Sequence, residues 1–238
     1  MNVFDIGIVL VLLMFIIVGF KKGVINELAE LIGIIVIFIL SFMLKGIVGS
    51  LLCEFLPFFE FHGIIQGISS INILLYQAIA FILVFSILLS LYIIILKIGK
   101  ILEKLVRLTI VLWLPSKVLG GLVSFIKGYI LLFVAFVLLL IPFGGEKSAI
   151  INESKLFNHI VYKSPILSSA TSDFTNSIKE AFELGMKVSK KEITPEEADI
   201  RNIDFMLRYN VVDRSTIERL RDNGKLEINN IDSVLEKY

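Results

Sequence analysis

The stretch that decides the fold is residues 73–96, which spell ILLYQAIAFILVFSILLSLYIIIL and contain no Asp, Glu, Lys, Arg or His. About 20 mainly apolar residues in a helix are enough to cross a hydrocarbon core ~30 Å thick. Because lipid offers no water to backbone amides and carbonyls, such a segment must satisfy them internally, which favours a helix over a strand. The stretch therefore predicts a membrane-spanning helix.

Three further apolar runs contain at most two charged residues each. They are residues 3–20 with Asp5, residues 24–44 with Glu27 and Glu30, and residues 118–141 with Lys127. The whole chain is 56% hydrophobic, which is outside the usual range of soluble domains. Together the four runs predict an all-α integral membrane protein with about four membrane-embedded helices.

Charge divides the chain into two parts. Residues 1–141 hold nine Lys/Arg and six Asp/Glu, whereas residues 142–238 hold fourteen and sixteen. The motif Pro142-Phe143-Gly144-Gly145 lies at the division and is typical of a loop. We therefore predict a membrane domain over residues 1–141 and a soluble helical tail over residues 142–238.

Basic residues concentrate in two connectors, as expected of cytoplasmic loops. They are Lys21 and Lys22 after the first run, and Lys97, Lys100, Lys104 and Arg107 after the third. The connector after the second run is poor in such residues, so we expect this connector and both termini to lie outside. A re-entrant hairpin of the first two runs is the alternative, and it would place the tail inside.

Residues 97–113 predict one interfacial amphipathic helix. Their apolar residues recur at roughly helical spacing beside a basic stripe, which is typical of a helix lying in the headgroup region. Trp113 suits an interfacial aromatic anchor, and we expect Pro115 to end this helix before the fourth span.

Small residues line one face of the fourth span. Gly120, Ser124 and Gly128 are four residues apart, and small residues at this spacing let another helix backbone approach closely in lipid. We expect this face to pack inside the four-helix bundle. A homo-oligomer interface is the alternative.

Lys127 is a charged residue well inside the fourth span. A lysine at the bilayer centre costs about 2.5–3.5 kcal/mol, so it usually has a partner or a wet cavity. Asp5, Glu27 and Glu30 are the candidate partners. We favour a structural ion pair. The alternatives are a polar path for ions or protons, and a lysine stem that extends to the headgroups.

No sequence motif predicts catalysis, a cofactor or a metal site. Glu54, Glu60 and His62 lie near one another, but a single histidine without defined spacing does not indicate a metal centre. The chain has no phosphate-binding loop and no nucleophile elbow. Its tail is slightly acidic and has no concentrated basic face, so we expect no nucleic-acid partner. We expect a non-enzymatic protein.

The tail predicts short amphipathic helices. Thr194-Pro195-Glu196-Glu197 combines an N-cap, a proline in the first turn and a capping box. Ser215 and Glu218 suggest a second box, and Asn223-Gly224 suggests a helix stop. We interpret the tail as a docking segment that covers the basic connector or binds an unidentified protein partner.

Several short motifs follow one another in order along the four runs. They are Asp5, Gly19-Phe20-Lys21-Lys22-Gly23 with Glu27-Leu28, Lys117-Val118-Leu119-Gly120, Lys127-Gly128, Glu153-Ser154 and Pro165. Over about residues 1–170 this pattern resembles the CvpA family, the bacterial colicin V production proteins. Ser116, Ser124 and Lys127 depart from the residues that are usual in that family.

The resemblance implies a multi-pass protein of the bacterial cell (inner) membrane. It also implies support of toxin production or export and of envelope homeostasis, and it implies no particular reaction. Two functions follow for this chain. The first is a membrane scaffold or accessory component that contacts the lipid bilayer and a protein partner. The alternative is a small oligomeric channel or transporter with a polar path around Lys127, Glu27 and Asp5.

Overall fold

The structure is a computed structural model that describes residues 2–105, 113–143, 153–165 and 167–238. Over these residues it contains helices and no strand, which confirms the all-α prediction. The helices are α1 (Val3–Lys22), α2 (Val24–Phe55), α3 (Ile71–Leu105), α4 (Trp113–Phe143), α5 (Lys155–Lys163), α6 (Leu167–Ala170), α7 (Ser172–Ser189), α8 (Pro195–Arg208), α9 (Arg214–Asp222) and α10 (Ile231–Leu235), with a 3-10 turn at Gly63–Ile65.

The first four helices are long and apolar enough to cross a membrane. Their candidate spans are Val3–Lys22, Val24–Phe55, Ile71–Ile98 and Pro115–Val137. Large apolar side chains such as Ile32, Ile87 and Leu122 are exposed on these helices, as suits contact with lipid. The chain is a multi-pass membrane protein.

The helices extend beyond the predicted apolar runs. α2 has 32 residues, about 48 Å at 1.5 Å per residue, which exceeds the thickness of the hydrocarbon core. It continues past Leu44 because no proline follows until Pro57, where a helix normally stops. The length of α2 is therefore set by its helix-breaking signal and not by the end of the apolar run.

The region predicted as an interfacial helix begins as a continuation of α3. Residues 97–105, which include Lys100 and Lys104, belong to this long helix, and no new helix starts at residue 97. Arg107 and the rest of residues 106–112 lie outside the described residues. Pro115 lies in the first turn of α4, where its missing amide breaks no helical bond, so it does not separate two helices.

The chain forms two compact units. The first contains residues 1–43, 83–136 and 150–163, and the second contains residues 44–82, 137–149 and 164–238. The division passes through α2, α3 and α4, whereas the sequence predicted one boundary at residue 141. The reason is that the connector after α2 packs with the tail.

In the first unit, α1 lies antiparallel to α4. The ring centroids of Phe4 and Phe136 are 5.6 Å apart at one end, and the Gly19 backbone meets Gly120 at the other. Between these contacts, the Phe15 ring lies against Gly128, where an added Cβ would come within 2.6 Å of the ring. The faces of the two helices are therefore in contact along most of α1.

The small-residue face of α4 is covered by α1. A Cβ added to Gly120 would lie 2.6 Å from the Gly19 carbonyl oxygen, and one added to Gly19 would overlap both Gly120 and Ser124. This packing supports the predicted role of Gly120, Ser124 and Gly128 within the bundle.

In the second unit, the tail caps two helix ends. The Asp199 carboxylate accepts hydrogen bonds from the backbone amides of Ser69 (3.1 Å) and Ser70 (2.6 Å), which precede α3. The ammonium of Lys225 donates to the backbone carbonyls of Cys53, Glu54 and Leu56 at the end of α2. An anion at a helix start and a cation at a helix end both oppose the charges of the helix dipole.

The tail thus docks on the connector between α2 and α3. Gly185 of α7 fits against the 3-10 turn, where an added Cβ would lie 2.9 Å from the Ile64 carbonyl oxygen. The docking contacts of the tail in this unit are with residues 44–82. Coverage of the basic connector after α3 by the tail stays a prediction.

Two local signals in the tail have different outcomes. The Thr194–Glu197 capping box is present, and Asn223 caps α9 with Gly224 at a positive φ of 68°, so both predictions are confirmed. The second box is wrong. α9 starts at Arg214 after Asp213, which places Ser215 inside the helix.

We expect Gly19→Ala to lower the free energy of unfolding by about 1–3 kcal/mol, because the new methyl group would force α1 away from the α4 backbone. Gly7→Ala in the same helix is the matched control, since nothing lies within 4 Å of its added Cβ. Thermal unfolding in detergent measures both variants. Equal stability of the two would contradict the close packing of α1 on α4.

We expect Asp199→Ala to destabilise the start of α3 by about 1–2 kcal/mol, because it removes the acceptor for two backbone amides. Asp199→Asn retains an acceptor and should have a much smaller effect. Hydrogen exchange of the Ser70–Ile73 amides measures the loss. If Asp199→Ala leaves these amides as protected as Asp199→Asn does, the capping role is wrong.

Candidate functional site

Four charged side chains in the first unit form a cluster, named here the charged cluster: Lys22, Glu27, Glu30 and Lys127. The Lys127 ammonium donates to the Glu27 carboxylate and to Glu30 Oε2 at 2.7 Å. The Lys22 ammonium donates to Glu30 Oε1 at 2.8 Å. The cluster joins the end of α1, the start of α2 and the middle of α4.

The two inner members of the cluster are almost fully buried. Lys127 is 4% exposed and Glu27 is 0% exposed. A buried charge is tolerated when a well-placed opposite charge offsets the loss of hydration. Glu27 Oε1 accepts no hydrogen bond among the described residues, although the Lys22 ammonium lies 3.7 Å away. The pairing of Lys127 agrees with the favoured interpretation of a structural ion pair.

Gly23 brings α1 and α2 together beside the cluster. It is the single residue between these helices and has a φ of 80°, which favours glycine over residues with a side chain. The Val24 amide donates to Ser116 Oγ at 3.3 Å, so a residue of α4 holds the start of α2. The short connector and Ser116 together place Glu27 within reach of Lys127.

Asp5 lies at the other end of α1 and is not a partner of Lys127. Its carboxylate accepts hydrogen bonds from Ser154 Oγ and from the Leu156 amide at 3.1 Å, at the start of α5. About 25 Å of helix separates Asp5 from Lys22 at 1.5 Å per residue. The proposed grouping of Asp5 with Lys127 is therefore corrected, because Asp5 caps a helix start instead.

An open cleft of 370 Å³ lies beside the charged cluster. Tyr92 on α3 is part of its wall, and the hydroxyl of Tyr92 donates to the Ala29 carbonyl at 2.7 Å. Gly33 allows this contact, because an added Cβ would overlap the Tyr92 ring. The full lining is Phe15, Lys22, Glu30, Ile34, Leu89, Tyr92, Ile93, Leu96, Lys97, Lys127 and Leu131.

The second unit contains a hollow of 420 Å³ near the connector. Glu60, His62 and Lys225 contribute to its lining, but Glu54 does not. Among the described residues, no three His, Cys, Asp or Glu side chains are placed to hold a metal ion together.

The tail carboxylate of Asp199, outside the spans, is also buried. Burial raises the pKa of Asp199, and the hydrogen bonds that it accepts from Ser70 and Ser69 offset part of this rise.

Comparison with known proteins identifies the family. The family model described as colicin V production protein matches residues 4–165. The chain belongs to this family. No curated protein and no solved structure matches it. The match covers α1–α5 and stops before α6–α10, and membership supports a role in toxin production.

Motif residues of this family member contact one another across the chain. Asp5 pairs with Ser154, and Gly19 packs on Gly120. Lys127 pairs with Glu27. Each motif residue thus has a partner in another helix or segment. The partner either satisfies a buried polar group or allows two helices to pack closely.

Sequence reasoning missed three residues that shape the cleft or hold the tail in place. Tyr92 looked like one more residue of an apolar run, and Asp199 and Lys225 looked like ordinary surface charges of the tail. No local pattern distinguishes them, because their partners lie far away along the chain. Lys21 was predicted in the basic connector. It is exposed at the end of α1 and does not line the cleft.

We expect Lys127→Met to lower stability by about 3–5 kcal/mol, because it removes the buried cation and leaves buried Glu27 with only the more exposed Lys22 ammonium, 3.7 Å away. Adding Glu27→Gln should restore part of the loss. Lys179→Met is the matched control, since its pair with Glu183 spans 3.8 Å at an exposed site and contributes little. Thermal unfolding in detergent measures all three. No recovery in the double variant would contradict the ion pair.

Proposed function

We propose that this chain is a non-enzymatic accessory protein of the bacterial inner membrane. In this role it supports production or export of a colicin V-like toxin, and with it envelope homeostasis. It acts as a scaffold whose tail presents a binding surface to a protein partner. Family membership supports the link to toxin production, and the docked tail supports the scaffold role.

The docking of the tail is the observation that carries this proposal. Asp199 and Lys225 fix it to the ends of two long helices, and the buried hydroxyls of Ser50 and Thr216 form a further hydrogen bond of 2.9 Å. A segment held at several points presents its exposed face in one orientation. Fixed orientation lowers the entropy cost of binding a partner.

One exposed face of the tail has the composition of a binding surface. We name it the tail patch: Phe205, Arg208, Tyr209 and Tyr238. The rings of Phe205 and Tyr209 are 4.5 Å apart, and Arg208 Nε lies 3.4 Å from the Tyr238 hydroxyl. Tyrosine and arginine are enriched among the residues that dominate protein interfaces.

The contacts of the charged residues favour the scaffold over a channel. Lys127 forms ion pairs with two carboxylates, and Asp5, near the other end of α1, accepts a hydrogen bond from Ser154. The residues assigned to a polar path thus form two separate groups within the first unit. The small-residue face, which was the alternative oligomer interface and which an oligomeric pore would require, packs on α1.

We expect the double variant Tyr209→Ser/Tyr238→Ser to reduce toxin release by about fivefold or more, because truncating a single interface tyrosine already costs about 1 kcal/mol or more. The assay uses a colicin V-producing strain that lacks its own family member and expresses this chain. Toxin in the medium is compared with the amount of chain in the membrane. Tyr162→Ser, a similarly exposed tyrosine outside the tail patch, is the control.

The same strain separates the scaffold from the channel. Lys127→Met/Glu27→Gln removes the charges of a polar path while keeping them balanced. If the chain acts as a scaffold, cells with this variant should release toxin normally. If the chain acts as a channel, they should release much less toxin. Full release by the tail-patch variant, together with failure of Lys127→Met/Glu27→Gln at normal membrane levels, would overturn the proposal in favour of the channel.

A further inference from the structure

The cleft in the first unit is lined by two chemically different sets of side chains. Its basic members are Lys22, Lys97 and Lys127, and its acidic member is Glu30. Its apolar members are Phe15, Ile34, Leu89, Ile93, Leu96 and Leu131. A ligand that matches both sets must have an anionic group joined to a long apolar part.

The charges around the cleft leave a net positive site. Lys22, Lys97 and Lys127 contribute three positive charges, and Glu27 and Glu30 contribute two negative ones, which gives +1 with all five ionised. Lys127 and Lys22 have carboxylate partners. Lys97 pairs with no carboxylate among the residues that the structure describes, so its ammonium is available to an anion.

The positions of Lys22 and Lys97 match the depth of lipid headgroups. Lys22 is the last residue of α1, and Lys97 directly follows the uncharged run of α3. The apolar members of the lining lie within the spans, where acyl chains are the surrounding solvent. Basic pockets between membrane helices are suited to anionic lipid headgroups.

We propose that this cleft binds one anionic phospholipid. Its phosphate lies against Lys97 and Lys22, and one acyl chain follows the apolar wall past Ile93. A free phosphate would contact the lysines only. The apolar wall is the reason for choosing a lipid. This site is independent of the proposed function, because it is tested on the purified full chain without toxin or partner.

The test measures lipid retained by the detergent-purified chain, using native mass spectrometry. The probe is an equimolar mixture of phosphatidylglycerol and phosphatidylcholine with identical acyl chains. The wild type should retain phosphatidylglycerol preferentially. Lys97→Gln should weaken its binding by about fivefold, the value of one lysine near an anionic headgroup. Lys21 is exposed, precedes Lys22 and does not line the cleft. Lys21→Gln is therefore the matched control and should bind phosphatidylglycerol as the wild type does.

A second variant tests the apolar wall. Ile93 is 44% exposed, so Ile93→Trp should fill the cleft without disturbing the core, and it should reduce lipid retention. Equal loss in Lys21→Gln and Lys97→Gln, or no preference for phosphatidylglycerol, would overturn the proposal. The proposal would also be overturned if millimolar inorganic phosphate displaced the lipid and the Ile93→Trp variant retained as much lipid as the wild type. That result would assign a free-anion site instead.

Discussion

The pairing of Lys127 with Glu27 and Glu30 is the interaction on which the first unit depends. A lysine inside a membrane span usually needs an opposite charge or a wet cavity, and here both partner carboxylates lie within the first two turns of α2. To bring them to Lys127, α2 must start directly beside α4. Gly23 makes this start feasible, and Ser116 holds it through the Val24 amide.

The second unit depends on a related constraint, the unsatisfied groups at helix ends. α2 and α3 are longer than the apolar runs and end outside them, where their terminal amides and carbonyls need partners. Two charged residues of the tail supply these partners. The tail therefore completes the ends of the long helices, which is why it packs with the connector in one compact unit.

The family motifs in this chain have roles in packing and pairing. Gly120, Ser124 and Gly128 allow α1 to approach α4, and Asp5 with Ser154 fixes the start of α5. These roles are structural. They agree with a family that is named for toxin production and not for a chemical reaction. Features that point to a molecular role lie elsewhere, in the cleft beside Lys97 and in the tail patch.

The sequence by itself determined the four spans, the need of Lys127 for a carboxylate, and the Thr194–Glu197 capping box. Each depends on residues that are close in sequence or on the solvent properties of lipid. Only the tertiary structure decided that Asp5 pairs with Ser154 and that Asp199 and Lys225 cap α3 and α2. These partners lie about 130–170 residues apart along the chain, and no local pattern encodes a contact at that separation. Only the structure also showed that residues 97–105 continue α3, because an amphipathic pattern fixes helical periodicity but not where a helix begins.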